Sequence, residues 1–179
     1  MNVAIVHDYL NQYGGAERVL EALHELFPEA PIFTIVYDKK SLPQYRNWDI
    51  KPSFMQKIPT AKKSYKNFIL LFPSAVRSFN LKKFDLVISN THAWGKGIST
   101  NGGALHICYC LTPMRYIWDL YQDYLKYEYI NPVARYMLPF LAKTLRRWDI
   151  ETSKNVKHYI AISQTVAKRT VGAATQSER

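Results

Sequence analysis

Short apolar runs alternate with stretches of helical hydrophobic spacing along this chain. Runs that predict buried strands occur at residues 3–8, 32–37, 84–89, 105–110 and 157–163. Apolar residues at helical spacing predict helices at 16–27, at 55–79 with a break near Pro73, at 132–148 with Pro139 as a kink or division, and from 164 onwards. Residues 38–51 have little periodicity and predict a polar crossover. Together these elements predict an α/β domain, a Rossmann-like, doubly wound and mostly parallel sheet with helices on both faces.

The loops after the predicted strands contain most of the candidate chemistry. His7 and Asp8 end the first strand, and the loop after it leads to Gly14 and Gly15. The other strand-end segments are 90–97, 111–115 and Ser163. Because ligands bind at the carboxyl ends of parallel strands, these segments predict one shared site.

The two glycines leave room for a ligand at the start of the first helix. Unpaired N–H groups and the positive end of the helix dipole favour anions such as phosphate at this point. A tight turn alone would also explain Gly14 and Gly15, and Glu17 is equally consistent with an acid that the helix dipole favours. His92 is consistent with a site residue or a surface histidine, and Arg115 with a site residue or a partner of Asp119.

Composition limits the class of protein. With 179 residues, 47% hydrophobic and 21% charged, the chain suits one globular domain. The two cysteines, Cys108 and Cys110, have neither disulfide-framework nor CxxC spacing and are predicted to be small buried residues. We find no secretory leader and no apolar run that reaches the roughly 20 residues of a membrane-spanning helix. We therefore expect a cytoplasmic protein.

The net charge of +10 comes from one segment. Residues 39–83 contain eleven Lys or Arg residues and one acidic residue, Asp49. This segment is consistent with a solvated face, with a nucleic-acid surface in which Tyr65 and Phe68 stack on bases, or with a surface for anionic membranes at residues 57–72. The charge distribution alone does not distinguish these three interpretations.

Five ordered stretches carry a resemblance to a known family. They are Val3–Asp8 with Gly14-Gly-Ala-Glu17, Phe84–Ser89, His106–Asp119, Arg147-Trp-Asp149 and Tyr159–Arg169. Together they resemble the N-terminal half of a family 4 glycosyltransferase of the GT-B type, a group 1 glycosyltransferase similar to mannosyltransferases. The resemblance covers about residues 1–170, and residues 171–179 form a divergent tail.

The resemblance implies two Rossmann-like domains that face a cleft, with a donor-binding C-terminal domain that this chain lacks. It implies retaining transfer of a sugar, such as mannose, from a nucleotide sugar to a glycan or lipid-linked acceptor, with no metal or other cofactor. Because acceptors in this family are commonly lipid-linked, we favour the membrane interpretation of residues 57–72, with the protein peripheral at the inner face of the membrane, and we expect no nucleic-acid partner. His92 would be the catalytic, sugar-contacting residue. The substrate-binding residues would be Gly14 and Gly15 near the diphosphate, Asp8, Glu17, Thr112 and Arg115. Leu111 occupies a position where relatives often have histidine, and leucine cannot form hydrogen bonds there.

Alone, this domain is expected to be inactive and to self-associate through surface that a second domain would cover. The alternative is a non-catalytic α/β module that binds a phosphate or a nucleotide. Neither G-x-G-x-x-G nor G-x-x-x-x-G-K-[ST] occurs in the chain, which counts against a dinucleotide or P-loop site.

Overall fold

The computed structural model describes residues 1–100, 103–114, 117–118 and 132–175. Arg115 and its possible partner Asp119 therefore lie outside the described residues. The strands are β1 (Val3–His7), β2 (Ile32–Thr34), β3 (Ile50–Pro52), β4 (Leu86–Thr91), β5 (Leu105–Cys110) and β6 (His158–Ala161). The α-helices are α1 (Gly15–Leu26), α2 (Ala61–Ser64), α3 (Phe72–Arg77), α4 (Pro132–Ser153) and α5 (Gln164–Thr175). Short 3₁₀ helices occupy Pro43–Tyr45, Phe54–Lys57, Tyr65–Leu71 and Gly95–Gly97.

The six strands form one sheet in the order β3-β2-β1-β4-β5-β6, and all pairs are parallel. The predicted Rossmann-like α/β fold is therefore confirmed. Chain progression moves outward from β1 to β3 and then returns to β4 on the other side of β1. This reversal makes the carboxyl ends of β1 and β4 the place where a doubly wound sheet opens a crevice.

Apolar side chains cover both faces of the sheet around β1. Ala4 and Val6 point into a core that includes Phe72 and Trp148. Ile5 points to the opposite face and packs with Leu20 of α1 and others. Alternation of buried residues along one strand is what a sheet covered on both faces requires.

Three elements differ from the sequence predictions. Strand β3 begins at Ile50, inside the predicted crossover, and ends at Pro52, which is tolerated because β3 is an edge strand. The predicted helical region 55–79 consists of the 3₁₀ helices Phe54–Lys57 and Tyr65–Leu71 with the short helices α2 and α3. Helix α4 continues through Pro139 as a single element. Pro73 lies in the first turn of α3, where its missing N–H costs no helical hydrogen bond.

Part of the α1-side face of the sheet is exposed at β5 and β6. Leu105, Ile160 and Ile162 are exposed there, and the register of β5 with β6 puts them on the same side as Ile5. Among the described helices, none is long and apolar enough to cross a membrane. The expected self-association stays a prediction.

Candidate functional site

A buried carboxylate at the end of β1 organises the loop that follows β4. Asp8 Oδ1 accepts hydrogen bonds from the Thr91 hydroxyl at 2.6 Å and from the N–H groups of Trp94 at 3.1 Å and Gly95 at 2.7 Å. Asp8 Oδ2 accepts from the N–H groups of His92 at 3.0 Å and Ala93 at 3.2 Å. The loop therefore wraps its backbone donors around one side chain.

His92 connects this carboxylate to a tyrosine. Its Nδ1 lies 3.1 Å from Asp8 Oδ2, and its Nε2 lies 2.7 Å from the Tyr9 hydroxyl. A carboxylate accepts only, so Nδ1 carries a proton, and in the neutral imidazole Nε2 is then the acceptor for the Tyr9 O–H. The His92 side chain is 30% exposed and lines a cavity, so the imidazole is accessible to a small ligand.

Electrostatic interactions determine the protonation of Asp8 and Tyr9. Burial by itself would raise the pKa of Asp8, but the adjacent His92 and the hydrogen bond from Thr91 hold that pKa below its ordinary value. Burial, and then the charge of Asp8, raise the pKa of the Tyr9 phenol well above its usual range. Asp8 is therefore an anion and Tyr9 a neutral donor at physiological pH.

Two glycines allow the loop to lie this close to its neighbours. A Cβ on Gly95 would come within 3.1 Å of Thr91 Cβ and 3.3 Å of Asp8 Oδ1. A Cβ on Gly97 would overlap the indole of Trp148 on α4. Gly95 thus permits the contact with Asp8, and Gly97 permits the contact with α4.

The start of α1 forms a second polar cluster beside the first. Buried Glu17 lies 3.3 Å from His7 Nε2, and Asn90 Nδ2 contacts both His7 Nδ1 at 3.2 Å and the Ala16 carbonyl at 2.9 Å. Glu17 also accepts from the Gly14 N–H, which is the position a capping-box glutamate takes at the third helical residue. Burial by itself would raise the pKa of Glu17. His7 and the backbone N–H groups of Glu17 and Gly14 outweigh burial and hold that pKa below its ordinary value. The helix N-terminus is therefore already occupied by a carboxylate on one side.

Gly14 and Gly15 differ in the space around them. A Cβ on Gly14 would lie 3.4 Å from Glu17 Oε2, whereas a Cβ on Gly15 would meet nothing within 4 Å. Neither glycine has a positive φ. The protein itself does not demand a glycine at position 15, and the space beside it is open.

A cavity of about 370 Å³ extends from His92 along the carboxyl end of β5. Its wall includes Lys96, Cys110, Thr112, Asp149 and Thr170. Lys96 Nζ lies 2.7 Å from Asp149 Oδ1, and Asp149 Oδ2 accepts from Trp118 Nε1 at 3.0 Å. Thr112 Oγ1 is buried and has no hydrogen-bond partner among the described residues.

The predicted site residues thus fall into distinct groups. His92 and Thr112 line the cavity, with Asp8 directly behind His92. Gly14, Gly15 and Glu17 lie at the start of α1, and Asn90 connects that helix to β4. Arg115 lies outside the described residues.

Sequence reasoning missed Tyr9, Lys96 and Asp149 as members of this region. Tyr9 is adjacent to Asp8, and Lys96 is inside the predicted strand-end loop 90–97, so a signal was present for both. Asp149 belongs to the stretch Arg147-Trp-Asp149, but nothing in the sequence places it beside Lys96, because the packing of α4 against the loop brings the two together. In the part of the chain that the structure describes, no three His, Cys, Asp or Glu residues cluster as a metal site would need.

Comparison with known proteins gave no similar protein: a scan of family models, a search of curated proteins and a search of solved structures each found no match.

Proposed function

We propose that this chain is the acceptor-binding domain of a retaining glycosyltransferase. It would take part in moving a sugar, such as mannose, from a nucleotide sugar to a glycan or lipid-linked acceptor, and would be inactive without a donor-binding domain. The observation that carries the proposal is the Asp8–His92–Tyr9 chain of hydrogen bonds at the crevice of the sheet. The resemblance of the five sequence stretches gives this geometry its chemical assignment.

In this proposal His92 binds a hydroxyl of the transferred sugar. Because Asp8 holds the proton on Nδ1, the Nε2 lone pair accepts from an O–H group. Tyr9 supplies that O–H in the free protein, and a sugar hydroxyl replaces it in the complex. Asp8 would hold the imidazole in a fixed orientation, so sugar binding would cost little side-chain entropy.

The Gly14–Gly15 loop would face the leaving diphosphate. The open space beside Gly15 lets a phosphate approach the backbone N–H groups closely. Glu17 caps the same helix end, so the loop alone offers less positive potential than an uncapped N-terminus. Tight diphosphate binding would then require cationic groups from the donor-binding domain.

The Glu17 carboxylate also argues against the alternative, a non-catalytic phosphate- or nucleotide-binding module. Such a module must hold its ligand unaided, and a buried carboxylate at the helix start opposes that. We therefore retain the glycosyltransferase assignment as the main proposal.

An anionic membrane surface is the partner we propose for the basic segment 57–72. Tyr65 and Phe72 belong to the core, but Leu70 and Leu71 are exposed, and Lys57 and Lys62 are exposed nearby in sequence. Leucines that enter a bilayer interface beside cations for anionic headgroups fit peripheral attachment. Because Tyr65 is buried, it is not free to stack on a base, which argues against a nucleic-acid surface.

The basic segment 57–72 contacts residues beside His92. The Tyr9 ring lies 4.5 Å from the Tyr65 ring, centroid to centroid, and the Asn11 side chain donates to the Lys62 carbonyl at 3.3 Å. A lipid-linked acceptor held at the membrane would therefore present its sugar near His92.

Calorimetry with three probes separates the proposal from the alternative. Pyrophosphate, a nucleoside diphosphate and a short-chain lipid-diphosphate sugar are titrated into the full chain. The proposal predicts that the lipid-diphosphate sugar binds most tightly and that the nucleoside adds less than about tenfold to the affinity of pyrophosphate. A nucleoside diphosphate that binds far more tightly than the other two probes would support the nucleotide-binding module instead.

A further inference from the structure

Helix α4 carries exposed aromatic side chains in its first half. Tyr136 is 85% exposed and Phe140 is 70% exposed. Because the two residues are four positions apart in a helix, they lie on the same face, one turn above the other. Another face of the helix buries Leu145 and Trp148 in the core. Packing within the domain therefore does not explain why positions 136 and 140 are aromatic.

The charge of this part of the helix has one sign. Residues 132–148 contain four Lys or Arg residues and no acidic residue. Lys143 is exposed, and its spacing of three from Phe140 and seven from Tyr136 puts it on the same face as both aromatic residues. We call Tyr136, Phe140 and Lys143 the α4 stripe. Its positive charge suits an anionic partner and opposes contact with the same stripe of a second copy, because like charges repel.

The direction of α4 puts the α4 stripe at the carboxyl edge of the sheet, where His92 also lies. Helix α4 ends at Ser153, and β6 begins five residues later, paired near the start of β5. The helix therefore runs from the carboxyl edge of the sheet towards the amino edge. Trp148 contacts Gly97 in the loop at the carboxyl edge. Phe140 precedes Trp148 by eight residues, which is about 12 Å of helix, so the aromatic residues lie beyond that loop.

The basic segment 57–72 contacts the same edge of the sheet. The Lys62 carbonyl accepts a hydrogen bond from Asn11 in the loop after β1. Tyr65 of the segment and Trp148 of α4 also share the core on one face of the sheet. The α4 stripe and the segment therefore lie on the same face of the sheet and at the same end of the molecule. One flat bilayer can touch two surfaces only if they are arranged in this way.

We propose that the α4 stripe is a second membrane contact, which enters the interface of a bilayer that contains anionic lipids. Tyrosine and phenylalanine suit this layer, because their rings pack among the upper acyl chains. Lys143 lies about 4.5 Å of helix behind Phe140, where it meets anionic headgroups. The order along the helix thus matches the order of layers at a bilayer surface. The inference rests on the membrane partner proposed for residues 57–72 and uses none of those residues.

Tryptophan variants of the full chain report on the two surfaces separately. Phe140→Trp, Leu70→Trp and the control Leu105→Trp each place an indole at an exposed position, and Leu105 lies on the opposite face of the sheet from α4. Vesicles of phosphatidylglycerol with brominated acyl chains quench an indole that enters them. We expect stronger quenching than in the unaltered chain for Phe140→Trp and Leu70→Trp, and no added quenching for Leu105→Trp.

The outcomes distinguish this inference from the earlier proposals. Added quenching in Leu70→Trp but not in Phe140→Trp would overturn the inference and leave the membrane partner of residues 57–72 in place. Added quenching in neither variant would overturn both. The titration with a short-chain lipid-diphosphate sugar contains no vesicles, so it tests the glycosyltransferase proposal independently of either result.

Sedimentation with phosphatidylglycerol vesicles at low salt measures the contribution of the α4 stripe to affinity. Replacing both Tyr136 and Phe140 with Gln changes no buried side chain and keeps good helix formers, and it should weaken binding roughly tenfold. Leu105→Gln should bind like the unaltered chain, and equal binding of these two variants would overturn the proposal. A second copy is the competing occupant: if the unaltered chain is a dimer without lipid and the double variant is a monomer, the stripe joins two copies and the membrane assignment is wrong.

Discussion

A carboxylate can be buried in a protein only where donors surround it, and Asp8 meets that condition through the loop after β4. Its partners are the Thr91 hydroxyl, His92 and the backbone N–H groups up to Gly95. Because those donors belong to another element, Asp8 stabilises the tertiary structure and not just its own strand end. It also determines which His92 nitrogen is free.

We predict that Asp8→Asn destabilises the protein by about 3–5 kcal/mol, because the amide leaves buried donors without a charged acceptor. Equilibrium denaturation measures this loss. Asp38→Asn is the control, since Asp38 makes comparable bonds to Ser41 and the Lys40 N–H at an exposed position and should cost less than about 1 kcal/mol. A similar, small loss for both variants would contradict the organising role of Asp8.

A second residue-scale prediction concerns His106, which is buried in β5. Its Nε2 is hydrogen-bonded to the Ser89 hydroxyl at 2.9 Å. Burial lowers its pKa to about 4. The unfolded chain has a histidine pKa near 6.5, so between these values the unfolded state binds a proton that the folded state does not. Stability should therefore fall as pH drops from about 6.5 to 4, by about 3 kcal/mol in total.

Chemical denaturation at several pH values checks this prediction. His106→Gln cannot titrate, so the difference in stability between His106→Gln and the unaltered chain should change across that window. A difference that stays constant from pH 6.5 to 4 would rule out His106 as the source.

At this scale, the sequence predicts which residues lie at the rim of the sheet but not how they bond. Asp8 and His92 follow apolar runs, so their meeting at one edge is predictable from parallel strands. The N–H donors from His92 to Gly95 are not predictable, because the direction of that backbone depends on packing against α4.

Among the elements, the loop after β4 is fixed from two sides, by Asp8 below it and by α4 above it. Gly97 is in contact with Trp148, and Lys96 pairs with Asp149 on the next residue of α4. Trp118, from the stretch His106–Asp119, donates a hydrogen bond to Asp149, from the stretch Arg147-Trp-Asp149, at the same place. These motifs hold the loop that carries His92.

We predict that Gly97→Ala destabilises the protein by roughly 1–3 kcal/mol, since the added methyl overlaps the Trp148 indole and forces α4 to move. Gly15→Ala is the matched control. Its methyl enters open space at a helical position, so the midpoint temperature of thermal unfolding should be unchanged or slightly higher. Equal destabilisation by the two changes would show that contact with α4 does not restrain the loop.

Strong periodicity made most elements predictable, and weak periodicity hid the rest. Strands β1 and β4 are buried almost continuously and begin with apolar runs, and α1 buries Leu20 from a sequence with helical apolar spacing, so the sequence displays these elements directly. Strand β3 is short and polar on its accessible side, so it depends on pairing with β2 for its existence. No local pattern specifies such a strand.

For the whole molecule, the charge distribution predicts where the protein meets a surface. Positive charge is concentrated in residues 39–83, and the exposed Leu70 and Leu71 lie within that segment. The α1-side face of β5 and β6 is apolar as well, but it lies outside the basic segment. Of these two apolar surfaces, the one that contains Leu70 and Leu71 is therefore the one with concentrated positive charge.

We predict binding to vesicles that contain phosphatidylglycerol at low salt and none to phosphatidylcholine vesicles, measured by sedimentation. Replacing both Leu70 and Leu71 with Gln should weaken binding roughly tenfold by removing apolar contact with the interface. Leu26→Gln is the control, because Leu26 is 70% exposed and Leu70 is 67% exposed, yet Leu26 lies outside the basic segment. Equal binding of all variants would remove residues 57–72 as the membrane contact.

The proposed function requires that a sugar acceptor binds at the rim formed by His92, Thr112 and the Gly14–Gly15 loop. Amide chemical-shift mapping with a short-chain lipid-diphosphate sugar tests this directly. We expect the largest changes at Gly14, Gly15, His92 and Thr112, with weaker binding in His92→Asn, which retains a donor to Asp8 but loses the Nε2 acceptor. Shifts confined to other parts of the chain, or equal affinity for His92→Asn and the unaltered chain, would contradict the proposed function.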